Sequence, residues 1–237
     1  MIKRILIVIS ALTICASAWA ADVAVDDSGY CASPSPGYMA PTYDQSTLEL
    51  GWDNGSRRWS VAWYTGAGSW VGNDFDISTL KTEYVKILKF KMYTRDNWPN
   101  TQWDGFGFGF YGFSGGVPGS MLWPTSGGSG YIFVPSGASG HVWVECDVDW
   151  VCPSVKFVAA QHQYYNWPNC DPWGVDTNET FLNHSWQYYG GSWSPLSSAS
   201  TEIDPYFNLM VRVWVEDGQT FPGIAPSSIG RVKALYY

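Results

Sequence analysis

The sequence predicts an all-β fold, an antiparallel two-sheet sandwich stapled by disulfides. In several stretches, among them residues 142–148 and 209–215, aliphatic residues or cysteine occupy every second position, and polar residues, tryptophan or methionine lie between them. This pattern is typical of strands that bury one face. Turn signals such as Asp53-Asn54-Gly55 and Gly190-Gly191 separate such stretches, and no stretch has the periodicity of an amphipathic helix. Many short strands without helices favour a two-sheet sandwich.

Residues 1–20 have the features of a secretory signal peptide. Lys3 and Arg4 precede an apolar run at residues 5–14, and Ala18-Trp19-Ala20 forms a small-x-small cleavage site. The apolar run is shorter than the roughly 20 residues that span a bilayer. We therefore expect cleavage at this site, a secreted, extracellular product, and no membrane span after cleavage.

The rest of the chain divides into one domain and two flanking segments. Residues 21–42 have the composition of an extended, loop-like segment, and residues 43–216 form the predicted β-sandwich domain. Residues 217–237 form a tail that ends in SSIGRVKALYY, a stretch that is basic and apolar together. This pattern indicates a short strand docked on the domain, or a sorting or assembly tag.

The net charge of −8 limits the classes of partner. Removal of Lys3 and Arg4 with the signal peptide makes the remaining chain more acidic still. An acidic surface with few cations repels phosphate backbones, so nucleic acid is not an expected partner. Anionic membranes are disfavoured for the same reason.

Four cysteines remain once Cys15 is removed with the signal peptide. An even number in an exported chain indicates two disulfides. We expect a Cys146–Cys152 bond, because the intervening DVDWV can turn back between two strands, and this leaves Cys31–Cys170 as the second bond. A zinc site is the alternative, but no cysteine pair has two-residue spacing and the histidines are scattered.

A tetrapeptide occurs twice and supplies the candidate ligand-binding residues. Asn97-Trp98-Pro99-Asn100 recurs as Asn166-Trp167-Pro168-Asn169, with Trp103 and Trp173 shortly after the respective copies. A Trp-Pro pair holds the indole on a stiff turn, and asparagine supplies both donor and acceptor groups. Such a combination suits a sugar ring. The alternative is that these tryptophans fill the ends of the core.

The outward face of the strand predicted around residue 145 is a second candidate site. Trp143, Glu145 and Asp147 share that face, about 6.5–7 Å apart along the strand. Trp143 beside the two carboxylates could bind a sugar, or the carboxylates together with Asp149 could hold a structural calcium ion. Two nearby carboxylates also suit a retaining glycosidase. The alternative, which we favour, is a solvated acidic face.

Glycines alternate with phenylalanines at residues 105–110, so that one face of this predicted strand has no side chains. A neighbouring group must approach such a face closely, and we expect an aromatic side chain from an adjacent strand.

Catalytic motifs are weak in this sequence. Residues 112–116 match the G-x-S-x-G pattern of a nucleophile elbow, which has meaning only on a strand-to-helix turn. Here the match runs into Val117-Pro118-Gly119, which cannot begin a long helix, so we interpret it as a glycine-rich turn. We do not expect an enzyme.

Several stretches together resemble the β-sandwich domains of large secreted proteins from uncultured bacterial lineages. The stretches are Tyr43-Asp44, residues 96–99, 117–123, the Trp143 strand, residues 157–161 and residues 206–213. Similar domains are jelly rolls akin to carbohydrate-binding modules, so the resemblance implies a jelly-roll fold and adhesion or glycan binding. The SSIGRVKALYY tail is similar to tails of other such secreted proteins, with Ile229 in place of a tryptophan.

Taken together, these features predict a secreted glycan-binding or adhesion module of the extracellular space or cell surface. Trp98, Trp103, Trp167 and Trp173 would stack on sugar rings, and Asn97 and Asn166 would hydrogen-bond to their hydroxyl groups. A self-assembling subunit of an extracellular filament or surface layer is the second hypothesis. A glycoside hydrolase that uses Glu145 and Asp147 is a distant third.

Overall fold

The computed structural model describes residues 23–26, 47–79, 83–95, 106–125, 128–132, 141–176, 183–196 and 208–216. Within these ranges the protein is all-β, and two antiparallel sheets pack face to face. This confirms the predicted sandwich. None of the described residues forms a helix that is long and apolar enough to cross a membrane. The predicted signal peptide and the tail at residues 217–237 lie outside the described residues.

Fifteen strands are present in the described part of the chain. In chain order they are β1 (Val23–Asp26), β2 (Thr47–Gly51), β3 (Arg57–Trp63), β4 (Ser69–Asp76), β5 (Val85–Arg95), β6 (Phe106–Ser114), β7 (Val117–Trp123), β8 (Gly130–Ile132), β9 (His141–Cys152), β10 (Lys156–Gln163), β11 (Trp173–Asp176), β12 (Ser185–Tyr189), β13 (Ser192–Pro195), β14 (Asn208–Leu209) and β15 (Val211–Glu216).

The first sheet has the order β1-β3-β11-β5-β15-β2, with β14 paired to β11 and β9 paired to β5. Both β15 and β9 pair with the same stretch of β5, so they flank β5 on opposite sides. The second sheet has the order β13-β12-β4-β10-β6-β7, with β8 paired to β6. Strand β1 falls in the segment that we predicted to be loop-like, where its four residues pair with β3.

Two-residue glycine turns join neighbouring strands of the second sheet. Gly115 and Gly116 connect β6 to β7, and Gly190 and Gly191 connect β12 to β13, all with positive φ between 63° and 91°. Paired positive φ angles are typical of the tight hairpin turns whose twist matches the strands. Ser114 therefore ends a strand before a hairpin turn. This confirms our interpretation of residues 112–116 as a glycine-rich turn and not a nucleophile elbow.

The main core lies between the two sheets and is dominated by aromatic rings. Phe106, Phe108 and Phe110 of β6 are at most 2% exposed, and the ring of Phe108 stacks on Phe90 of β5 at 4.9 Å. Full burial of each such side chain contributes roughly 1.5–3 kcal/mol. Strand β5 does not keep one alternation throughout, because its register shifts between Ile87 and Lys89. Ile87 is fully buried there, whereas Leu88, which alternates with Phe90 and Met92 in the sequence, is only half-buried.

The second sheet curls, and its concave face buries a second core. Cα atoms of β13 and β7, the two ends of the sheet order, come within 8 Å of each other. Trp70, Tyr111, Val158 and Ala160 are buried on this face, and the ring of Trp193 on β13 contacts Tyr111 edge-on at 5.0 Å. Three strands, β4, β10 and β6, therefore separate two apolar clusters.

The bare glycine face of β6 belongs to this concave surface. A Cβ at Gly109 would lie 3.3 Å from Cζ3 of Trp70 and 3.0 Å from the backbone oxygen of Trp123. At Gly107 a Cβ would lie 2.9 Å from the hydroxyl of Tyr164 and would also contact Ser129. Aromatic side chains therefore approach this face as predicted, but Trp70 comes from β4, which is separated from β6 by β10, and not from an adjacent strand.

Asn73 of β4 joins the two sheets through polar contacts inside the core. Its Nδ2 donates to the backbone oxygens of Leu209 at 2.8 Å and Val211 at 3.1 Å. Its Oδ1 accepts from the Ser185 hydroxyl at 2.9 Å, and that hydroxyl accepts from the Leu209 amide at 3.0 Å. A buried amide with every partner satisfied fixes one alignment of the sheets.

Asp176 continues this network toward the turn before β3. Its carboxylate accepts from the backbone amides of Asn54 at 2.6 Å and Asn208 at 3.1 Å. Burial raises the pKa of Asp176 to about 6, although the two backbone hydrogen bonds act in the opposite direction. The segment 208–211 is thus held from β4, β12 and β11 together.

The predicted Cys146–Cys152 disulfide is wrong. Both residues lie on β9, which remains paired with β5 from Val85↔Cys152 to Phe90↔Cys146 and does not turn back. Six residues of strand separate them by about 20 Å, whereas a disulfide needs Cα atoms about 4.4–6.8 Å apart. The partner predicted for Cys170, Cys31, lies outside the described residues. The Cys146–Cys152 part of the predicted staple is therefore not formed, and the Cys31–Cys170 bond stays a prediction.

Asn73→Ala is expected to lower the free energy of unfolding by about 2–3 kcal/mol, because the Leu209 and Val211 carbonyls and the Ser185 hydroxyl lose a buried partner. Urea denaturation of the purified protein measures this change. The matched control is Asn166→Ala, which removes an exposed asparagine with a hydrogen bond to Ala67 and should cost about 0.5–1 kcal/mol. Equal costs for both variants would show that Asn73 does not couple the sheets.

Alkylation in denaturant without reductant is expected to modify both Cys146 and Cys152 completely. The reason is that the extended strand β9 keeps their sulfurs apart. Peptide mass mapping of protein secreted into an oxidising compartment checks this outcome. A linked peptide pair containing both residues would contradict the strand assignment.

Candidate functional site

The second Asn-Trp-Pro-Asn turn is fastened to the loop between β3 and β4. The Ala67 amide donates to Oδ1 of Asn166 at 2.9 Å, and the Trp167 amide donates to the Trp63 oxygen at 3.3 Å. The indole of Trp167 is half-buried and meets the ring of Tyr64 edge-on at 6.5 Å. This turn therefore holds an aromatic side chain at one end of the sandwich on a hydrogen-bonded support.

Trp173 does not take part in that surface. Its side chain is 2% exposed, and its ring packs against Trp63 in the main core at 4.7 Å. The prediction that Trp173 stacks on a ligand is therefore wrong, because β11 is an inner strand whose alternation directs this indole between the sheets. Asn97, Trp98 and Trp103 lie outside the described residues.

Trp143 lies on the outer face of the first sheet, where two cations cover its ring. The guanidinium carbon of Arg212 lies 4.6 Å from the ring centroid, and Nζ of Lys91 lies 5.1 Å from it. Arg212 is fixed in turn by hydrogen bonds of 2.6 and 3.0 Å to the Asp53 carboxylate. Trp143 is thus engaged within the protein and does not present an open stacking face.

The carboxylates of this face are paired with lysines. Nζ of Lys89 lies 2.7 Å from Glu145 and 3.6 Å from Asp147, and Lys86 lies 2.8 Å from Asp149. The hydrogen bond to Glu145 raises the pKa of Lys89, against a smaller effect of burial. Among the described residues no cluster of three or more histidines, cysteines and carboxylates could hold a metal ion. The geometry is that of an ion-paired, solvated face.

A group of tyrosines surrounds the Trp167 turn at the same end of the sandwich. We define the tyrosine rim as the side chains of Tyr64, Tyr131, Tyr164, Tyr165, Trp167 and Tyr189. Tyr165 is 60% exposed, Tyr131 47% and Tyr64 44%. The ring of Tyr164 lies between those of Tyr131, at 5.7 Å, and Tyr165, at 6.3 Å. The rim thus combines ring faces and hydroxyl groups on one surface.

Local hydrogen bonds orient the rim hydroxyl groups. The hydroxyls of Tyr164 and Ser129 hydrogen-bond to each other at 2.5 Å, and Thr65 Oγ1 lies 2.9 Å from the Tyr189 hydroxyl. Gly107 makes the first contact feasible, because a side chain there would collide with both Tyr164 and Ser129. The bare glycine face of β6 therefore helps to place a rim residue.

His162 connects the rim to the second core. Its imidazole stacks on Trp70 at 4.3 Å with an interplanar angle of 15°, and it meets Tyr164 at 4.6 Å. Burial lowers the pKa of His162 to about 4, so the ring is neutral at pH 7. The side chain thus extends the aromatic surface without adding charge.

Sequence reasoning found Trp167 and Asn166 but missed the tyrosines of the rim. Residues 164–165 follow β10 directly, as the Trp-Pro turn does, so their position after a strand was an available signal. Tyr64 follows β3 and Tyr131 lies on β8, both distant in the chain, and only the fold brings them to this end of the sandwich.

No protein-family model, no curated protein and no solved structure matches this chain.

His162→Phe is expected to make the protein more resistant to acid. The folded-state pKa of about 4 lies below the ordinary value of 6.5, so the unfolded chain binds the proton more readily. Above pH 6.5 neither state binds this proton, so stability is unaffected. As the pH falls from 6.5 toward 4, the unfolded chain binds the proton first and the free energy of unfolding falls. The variant should avoid a loss of about 1–3 kcal/mol over that window.

Urea midpoints at pH 7 and pH 4.5 measure the difference. Asp176 acts in the opposite direction, because its raised pKa costs stability as the pH rises from about 4 to about 6. It is present in both proteins, so the comparison isolates His162. Parallel pH profiles for the two proteins would show that His162 does not stay neutral on folding.

Proposed function

We propose that this protein is a secreted jelly-roll sandwich that binds neutral glycan of the extracellular space or cell surface through the tyrosine rim. The observation that carries the proposal is the exposure of aromatic rings at one end of a rigid scaffold. Of the six most exposed large apolar side chains in the described part of the chain, Tyr64, Tyr131 and Tyr165 belong to the rim.

The strand order supports the jelly-roll part of the proposal. Strands β2-β15-β5-β9 of one sheet pack on β4-β10-β6-β7 of the other. Numbered one to eight along the chain, these strands have the orders 1-8-3-6 and 2-7-4-5, the arrangement of a double Greek key. In this interpretation the additions to the eight-stranded framework are β1, β3, β8, β11, β14 and the β12–β13 hairpin.

The chemistry of the rim suits sugar rings. Tyrosine offers an apolar ring face for the CH groups of a sugar and a hydroxyl for its polar edge, at a low conformational cost because only two side-chain torsions are fixed. Asn166 and Thr65 supply further polar groups beside the rings. All rim side chains are uncharged at pH 7, which favours a neutral glycan over an acidic one.

The expected affinity is modest. A shallow surface of stacked rings gives dissociation constants of about millimolar to micromolar, or about −4 to −8 kcal/mol. Useful avidity then requires several copies on one surface. We assign no catalytic step to the protein, since Glu145 and Asp147 share Lys89 and lie on the outer face of the first sheet, away from the rim.

A self-assembling subunit of a filament or surface layer is the second candidate, because exposed aromatic patches also mediate contacts between subunits. Electron microscopy of the purified protein separates the two functions. Ordered polymers whose formation needs the rim tyrosines would support assembly, and monodisperse particles would support binding.

Tyr165→Ala and Tyr131→Ala are each expected to weaken binding about tenfold, because each removes a ring that can stack on a sugar. Retardation in native gels that contain soluble β-glucan, xylan or mannan measures the affinity. The matched control is Tyr84→Ala, since Tyr84 is 59% exposed but precedes β5 at the opposite end of the sandwich. If all three variants are retarded equally by the same polysaccharide, the rim is not the site. If no neutral polysaccharide retards the unmodified protein, the proposed function is wrong.

A further inference from the structure

The bare glycine face of β6 allows tyrosines from two other strands to meet. Tyr131 of β8 lies opposite Gly107 of β6, and Gly107 lies opposite His162 of β10 on its other side. The ring of Tyr164, which follows β10 directly, lies 5.7 Å from the ring of Tyr131. The two rings therefore come together over the backbone of Gly107.

Tyr164 is held in this position from two sides. Its hydroxyl hydrogen-bonds to that of Ser129, which directly precedes the strand that carries Tyr131. Its ring meets the imidazole of His162 edge-on at 4.6 Å. A Cβ at Gly107 would lie 2.9 Å from the Tyr164 hydroxyl, so a side chain there would displace Tyr164. The contact between the two tyrosines thus depends on the glycine.

Tyr131 is the adjustable partner of the pair. Its side chain is exposed, and exposed side chains change rotamer within nanoseconds. The two ring planes are inclined by 34°, so a small rotation of Tyr131 about its side-chain torsions brings the ring edges into contact. One ring is held while the other can approach it, and two groups kept this close react as if at very high concentration.

We propose that Tyr131 and Tyr164 are a site of oxidative cross-linking, at which a haem peroxidase with hydrogen peroxide joins the two rings. Each phenol loses one electron to the oxidant and one proton to water, which leaves two tyrosyl radicals. The radicals couple through a C–C bond between ring carbons next to the phenolic oxygens. Transfer of the hydrogen from each of these carbons to its oxygen restores both phenols. The two electrons and two protons reduce one hydrogen peroxide to two waters, and the product is one dityrosine.

Other tyrosines of the described chain are less suitable partners. Tyr165 meets Tyr164 at 6.3 Å, but the two are neighbours in the sequence, and a bond between their rings would close a short, strained loop. Tyr84 is exposed but precedes β5 at the opposite end of the sandwich, so it reaches only the tyrosines of another copy. The bond between residues 131 and 164 is therefore the favoured one within a single chain.

The cross-link ties β8 to the segment after β10, across β6. It closes the chain between residues 131 and 164 into a loop and so restricts the unfolded state, as a disulfide does. Cys146 and Cys152 supply no such tie, because they are not bonded to each other. The reaction requires only the two rings and the oxidant, so the proposal is independent of glycan binding.

Oxidation of the dilute full chain by a haem peroxidase and hydrogen peroxide tests the proposal. Dityrosine fluorescence and peptide mass mapping measure the product. We expect a monomer in which the peptides that contain Tyr131 and Tyr164 are linked with the loss of two hydrogens. Its urea midpoint should lie above that of the unoxidised protein, because the unfolded chain is restricted.

A matched pair of glycine substitutions tests the role of the contact. Gly107→Ala separates the rings without removing either phenol and is expected to lower the yield of linked peptide about tenfold. The control is Gly112→Ala on the same strand, where a Cβ meets no atom nearer than 3.9 Å, and the yield should stay within about twofold. Tyr131→Phe keeps the ring but should abolish the product, which makes the test independent of how well Gly107→Ala folds.

Three results would overturn the proposal. The first is an oxidised monomer without the linked peptides, and the second is dityrosine that forms only in dimers whose yield rises with protein concentration. The third is an unchanged yield in Tyr131→Phe or equal yields in the two glycine variants. Glycan binding is measured on the unoxidised protein, so failure of either proposal leaves the other standing.

Discussion

The alignment of the two sheets depends on buried side-chain amides that hydrogen-bond to the backbone of the facing sheet: Gln163 of β10 binds Trp63 of β3, and Asn73 of β4 binds Leu209 and Val211. Apolar side chains bury surface but specify position weakly, whereas the two bonds from Nδ2 to Leu209 and Val211 fix where the first sheet sits on the second. Ser185 closes the same network from β12. Gln163 makes the equivalent contact beside the tyrosine rim, because its Nε2 donates to the backbone oxygens of Trp63 and Tyr165.

The sequence predicted the fold where the alternation of residues was long. Strand β9 has Glu145 and Asp147 outside and Val144 inside, as its period indicates, and the glycine face of β6 is covered by aromatic groups. In β5, Leu88 alternates with Phe90 and Met92 in the sequence but is only half-buried, because the pairing register of this strand shifts between Ile87 and Lys89. The disulfide prediction failed because five residues rich in Asp and Val continue a strand as readily as they form a turn.

The candidate site was predictable only in part. Trp167 and its supporting Asn166 follow from a motif in the sequence, whereas the burial of Trp173 follows from the placement of β11 between β3 and β5. The rim tyrosines come from four separate loops or strand ends. No local sequence pattern indicates that the rim tyrosines lie close together, because their proximity depends on the curl of the second sheet and on how the loops pack.

The curl of the second sheet determines which positions of the protein tolerate substitution. Strands β4, β10 and β6 have apolar side chains packed against both of their faces. Phe157 and Val158 of β10 point in opposite directions, and both are 0% exposed. The strands of most sandwiches have one solvent-exposed face, on which substitutions are nearly neutral. Strands β4, β10 and β6 have no such face over most of their length. Tolerated substitutions are therefore expected outside these three strands. The same three strands should be the last part of the molecule to open during unfolding.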